Sequence, residues 1–158
     1  MDTTVLLAEI HAAFPPVEMP SEAELRYHAE GCFQCDYLAS ELASLRGKPI
    51  DGAVIRHMHQ EMSCLSAKGW AWALPHYLPF CLTPEAEYNR METDFLVYNL
   101  GPEEQYRQET RERMSLLDAR QVKCLISFVE WLREHPHWGE YFPEEIEEAS
   151  RFLHALDA

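Results

Sequence analysis

The residues best suited to chemistry are His28, Cys32 and Cys35, set as His-x3-Cys-x2-Cys in the stretch HAEGCFQC. Imidazole and thiolate are ligands that Zn2+ takes up in tetrahedral sites. A Cys-x-x-Cys at the start of a helix adds a second effect, because backbone N–H groups there favour the thiolate. Zinc is therefore the candidate cofactor, with His28, Cys32 and Cys35 as its ligands; otherwise none is expected. The fourth position stays open: His11 upstream, or His57, His59 or Cys64 downstream, could fill it. The competing reading makes both cysteines small buried hydrophobes and His28 an ordinary histidine beside Leu25. A thioredoxin-like redox pair fits less well, since no βαβ pattern surrounds the motif.

The His-x3-Cys-x2-Cys spacing resembles the core of zinc-binding anti-sigma factors. That resemblance spans eight residues, and the family it points to supplies its further ligand from upstream.

Other arrangements carry less. His57 and His59 are two apart, which sends them to opposite sides of a helix, so they are not the i,i+4 pair of HExxH proteases. They read as solvent-facing residues flanking a methionine stripe. His135-Pro136-His137-Trp138 reads as a loop between helices, with Trp138 either an exposed anchor for a partner or a cap on the core. Glu85, Glu87, Glu92 and Asp94 read as solvated acids. There is no G-x-S-x-G, and the six glycines are too scattered for a phosphate loop. No enzyme is expected.

The elements that must position these residues are helices. Thr3 or Thr4 caps a first helix with Val5, Leu6, Ile10 and Ala13 on one face, and Pro15-Pro16 ends it. Ser21-x-x-Glu24 is a capping box for a helix running to about Glu30, where Gly31 stops it. A third helix covers about 34–45, with Tyr37, Leu38, Leu42 and Leu45 inward. Asp51 caps a fourth that carries Val54, Ile55, Met58, Met62 and Leu65. The stretch 67–82 holds Trp70, Trp72, Pro75 and Pro79, and reads as a proline-kinked central helix. Thr83-Pro84 restarts a helix that carries Tyr88, Met91, Phe95 and Tyr98 to Leu100, and Gly101-Pro102 ends it. Residues 103–115 are polar all round and read as an exposed helix or a mobile connection. Asp118-x-x-Gln121 is a second capping box, opening a strongly apolar helix over about 119–134. Pro143 starts the last, docked by Ile146, Ala149, Leu153 and Leu156. The prediction is a single all-α domain over residues 1–158, with about seven to nine helices.

Composition narrows the function. Twenty-seven acids against thirteen bases give a net charge of −14, which disfavours phosphate backbones and anionic membrane surfaces. No run approaches the roughly 18–20 apolar residues of a membrane span, and the N-terminal apolar run does not read as a signal peptide. A soluble, cytoplasmic protein is expected, with no nucleic-acid or membrane partner. Five cysteines, unevenly spaced, do not form a disulfide framework.

A wider resemblance runs through Phe14-Pro15, Cys32-x-x-Cys35, Gly47-Lys48, Leu65-Ser66 to Pro75-x-Tyr77-Leu78, and Leu117-x3-Gln121. In that order these residues, over about 9–134, resemble a family of small bacterial proteins carrying a domain of unknown function. The resemblance implies one α-helical domain and no particular activity. Size, acidity and the missing catalytic motifs then lead to a non-enzymatic protein-binding protein. Its concrete form is a cytoplasmic immunity protein that neutralises a basic toxin, such as a nuclease. Glu103, Glu104, Glu109, Glu144, Glu145, Glu147 and Glu148 are the carboxylates expected to face that partner, with Trp138 beside them. The alternative is a zinc-dependent or redox-responsive regulator built on His28, Cys32 and Cys35.

Overall fold

Side-chain caps determine where the helices begin. The computed structural model describes residues 1–158 as eleven α-helices and two short 3-10 stretches, with one isolated antiparallel bridge and no strands. Helix α1 spans Thr3–Ala13, and its cap is Asp2, which accepts from the Thr4 amide at 2.7 Å. The Ser21–Glu24 box forms as expected, but it opens only one turn, α2 at Glu22–Leu25. Arg26 then leaves helical geometry with extended backbone (φ −89°, ψ 141°) and pairs with Leu65. The expected helix to Glu30 is lost because backbone bonds to a segment about 40 residues away replace its own ladder.

Helix α3 spans Phe33–Ala43, and Gly47 turns the chain with φ +80°. Helix α4, Gly52–Met58, passes into a 3-10 stretch at His59–Cys64. The central helix, α5, runs unbroken over Ala67–Cys81 despite Pro75 and Pro79 inside it. Ten of its fifteen residues are buried, so it is apolar nearly all round, as a helix surrounded by others must be. Trp70 and Trp72 are both in the core, and the Trp70 indole N–H donates to the Met62 carbonyl at 2.8 Å.

The expected helix after Thr83 breaks in two. Arg90 adopts φ +69° between α6 (Pro84–Asn89) and α7 (Met91–Leu100). That break shifts the phase of everything after it. Leu96, Val97 and Leu100 face the core, while Tyr88, Met91 and Tyr98 are exposed. Residues 103–115 are anchored, not free: a 3-10 turn at Glu104–Tyr106 leads into α8, Arg107–Arg113, whose Thr110 and Arg113 are buried.

Helices α9 (Ala119–Glu134) and α11 (Pro143–Asp157) pack against each other, with α10 (Trp138–Tyr141) in the corner between them. Both follow the predicted apolar faces. Helix α7 ends against α11 at Gly101, where a Cβ would sit 2.5 Å from the Ala149 nitrogen. Only glycine allows that approach. One cluster of 40 buried residues joins all the α-helices but α8. Four smaller readings are corrected by burial: Val5 and Tyr37 are exposed, whereas His59 and Glu92 are buried. No helix is long and apolar enough to cross a membrane.

Candidate metal centre

The antiparallel bridge builds the site. Tyr27 N–H donates to the Cys64 carbonyl and Ser66 N–H to the Leu25 carbonyl, each at 2.8 Å. These bonds hold residues 25–27 against 64–66, so the irregular stretch carrying His28 lies beside the end of the 3-10 segment. Gly31, at φ +76°, turns the chain into α3. Cys32 is the N-cap of that helix, its sulfur accepting from the Cys35 N–H at 3.4 Å. Cys35 is one turn in and fully buried.

His28, Cys32 and Cys35 thereby converge. One donor atom from each lies within 4.8 Å of the others, and His28 Nδ1 is 3.3 Å from the Cys35 sulfur. The two thiols are unlike. Interaction with the Cys35 side chain, then the N–H groups of Cys35 and Gln34, draws the Cys32 thiol below its usual pKa. Burial, followed by the Cys32 interaction, pushes the Cys35 thiol up. Cys32 thus loses its proton more easily than Cys35, and binding a cation would take the proton from both. All five cysteines are free, so both sulfurs are thiols that can ionise and bind a metal. The donor set, imidazole plus two thiols, fits zinc.

Residues outside the motif support it. Arg113 is buried; its Nε donates to the Ser63 carbonyl at 3.0 Å, and its guanidinium lies 4.2 Å from the centre of the Tyr27 ring. Tyr27 in turn meets His28 edge-on at 5.0 Å and donates its hydroxyl to Glu112. Burial and that carboxylate raise the Tyr27 phenol to about 12, so it stays a donor. Nothing local in the sequence pairs residue 113 with residues 27 and 63; only an arginine in an otherwise polar stretch hinted at it. A cavity of about 360 Å³ opens beside the centre, lined by His28, Cys32 and Cys64 together with Tyr98, Tyr106 and Arg113.

The residues expected to meet a partner are scattered in their engagement. Glu103 accepts from Tyr98, and Glu109 pairs with Arg113. Glu147 pairs with Arg133 and Arg151, and Glu148 with Arg151. Glu104, Glu144 and Glu145 are exposed and stand in no ion pair. Trp138 is not an exposed anchor. It is 1 % exposed and packs with Phe142, Tyr141 and His137, because the expected loop is a helical turn that folds it onto α9.

Comparison with known proteins adds a family and no activity. The family model described as a family of unknown function, DUF6714, matches residues 3–155, a wider span than the motifs that carried the resemblance. No curated protein and no solved structure matches the chain.

Proposed function

For a chain that belongs to DUF6714, a family of unknown function, we propose a metal-dependent role: one zinc ion is bound by His28, Cys32 and Cys35. The ion fastens the irregular segment 26–31 to the start of α3, so that metal occupancy sets the shape of this corner and the surface it offers to another protein. The observation that carries this is the convergence within 4.8 Å of an imidazole on the irregular stretch 27–31 with two thiols at the start of α3. Such a stretch contributes little to its own ordering, and a metal supplies what the backbone does not. The test is metal analysis of protein purified under reducing conditions without added metal. One zinc per chain is expected; a folded, reduced, metal-free preparation would remove the proposal.

A second reading keeps the acidic surface as a site for a basic protein partner, such as a toxin that this protein would neutralise. It is favoured by crowding between α7 and α11, where burial and then the charge of Glu145 raise the Asp94 carboxyl. Neither acid is in an ion pair, so an incoming Lys or Arg would relieve repulsion as well as add attraction. Reversing Glu144 and Glu145 to lysine is expected to abolish salt-sensitive co-purification of a basic protein from the native host. Equal recovery with wild type and variant would contradict this reading.

A further inference from the structure

The three converging donors leave a tetrahedral ion one ligand short, and the backbone brings a fourth to the site from outside the motif. Cys64 ends the 3-10 stretch, its carbonyl held by the Tyr27 N–H at 2.8 Å, one residue from His28. Its side chain is 6 % exposed and lines the same cavity as His28 and Cys32; its sulfur is not among the three donors that already lie within 4.8 Å of one another, so the ion must draw it in. It also reaches the Glu61 carboxylate, Sγ to Oε2 3.6 Å. The other residues that could close the shell are occupied elsewhere. His59 donates from Nδ1 to the Arg56 carbonyl and sits edge-on to Phe95 at 5.1 Å. His57 points its Nε2 at Glu41, 3.6 Å away. His11 is in the last turn of α1, a helix that packs on α9 and α5 rather than on α3.

We propose that Cys64 is the fourth ligand, so that the protein holds zinc in a closed Cys3His site of His28, Cys32, Cys35 and Cys64. This inference rests on the metal-centre reading above. His28 coordinates through Nδ1, the ring nitrogen that already faces Cys35, and keeps its proton on Nε2. Each thiol binds as thiolate, its proton passing to solvent, so a dication on three thiolates leaves the site with one net negative charge. Four protein ligands leave no open position for water or substrate, which makes this a structural centre rather than a catalytic one. Its consequence is topological. The ion ties the 26–31 segment and the start of α3 to the junction between the 3-10 stretch and α5, joining parts of the chain about 30 residues apart. The neighbouring cavity then lies beside the centre without being fed by it.

The test is a Co2+ titration of the full-length reduced apoprotein, followed by displacement with Zn2+, for the wild type, Cys64→Ser and Cys64→Ala. With wild type, a tetrahedral cobalt spectrum is expected, with sulfur charge-transfer absorption from three thiolates. Both variants should lose about one third of that absorption, three thiolates becoming two, and should bind zinc more than about 10-fold more weakly. Unchanged absorption and affinity in both variants would overturn the role of Cys64 while leaving the three-residue site standing. A wild type that takes up neither cobalt nor zinc would overturn the metal centre itself. If the variants fail to fold, the intensity of the wild-type spectrum decides: three thiolates support the proposal, and two contradict it.

Discussion

Cys35→Ser is expected to abolish stabilisation by zinc. In the wild type, zinc at about 1,000 times its dissociation constant adds about 4 kcal/mol to the folded state, provided the unfolded chain does not bind it. For a domain of this size that is a rise of roughly 8–16 °C in melting temperature. Serine at position 35 removes a sulfur ligand and should weaken binding by more than about 100-fold, beyond what loss of a supporting residue does. Cys35 is also fully buried in the core, so the variant will be less stable without metal too. Cys124→Ser separates the two effects. Cys124 is a buried thiol on α9 whose pKa burial pushes up to about 12, and it lies outside the cluster of metal donors. Serine there should lower the melting temperature yet leave the response to zinc intact. Scanning calorimetry with and without zinc reads both. A Cys35→Ser protein that gains as much from zinc as wild type would exclude Cys35 as a ligand.

Arg56→Ala is expected to be strongly destabilising although the arginine is partly exposed. Glu92 sits in the first turn of α7 with its side chain fully buried, and its Oε1 accepts from Arg56 Nε at 3.0 Å. Its Oε2 has no partner, so Arg56 is the group that compensates the buried charge. Arg56 also binds Glu85 at 2.6 Å and thereby joins α4, α6 and α7. Removing it strands the Glu92 carboxylate, at a cost of about 3 kcal/mol, the lower end for an uncompensated buried charge because water can enter where arginine stood. Glu92→Gln should cost less, about 1 kcal/mol, since a neutral amide needs no counter-charge. Denaturant melts rank the two. If Arg56→Ala proved no worse than Glu92→Gln, Glu92 would not depend on the arginine for its charge.

What could be read from the sequence was local. The faces of α9 and α11 were legible because each carries a long apolar repeat with its own start signal. The Asp118–Gln121 box and Pro143 need no distant partner to act. His28, Cys32 and Cys35 were legible for the same reason, since eight consecutive residues contain them. What failed depends on contacts far along the chain. The Ser21 box promised a longer helix than α2, because pairing of Arg26 with Leu65 leaves no trace in either segment alone. Arg90 carries no glycine-like signal for its positive φ, and the turn it makes puts Tyr88 and Tyr98 outside. Glu92 was read as a solvated acid because its cation is 36 residues away. For Trp138 the sequence leaves an exposed anchor and a core cap both open, because a His-Pro-His stretch suggests a loop; the turn after it packs the indole against Phe142. Arg113, the residue that clamps Tyr27 and Ser63, stood in a segment whose charge suggested only solvent.

The central claim is that this family member holds a metal at the corner built by His28, Cys32 and Cys35. X-ray absorption at the zinc edge, on reduced protein purified without added metal, tests it most directly. The predicted spectrum is a four-coordinate shell with sulfur at about 2.3 Å and imidazole nitrogen at about 2.0–2.1 Å. A shell of oxygen and nitrogen alone, or folded protein without zinc, would contradict it.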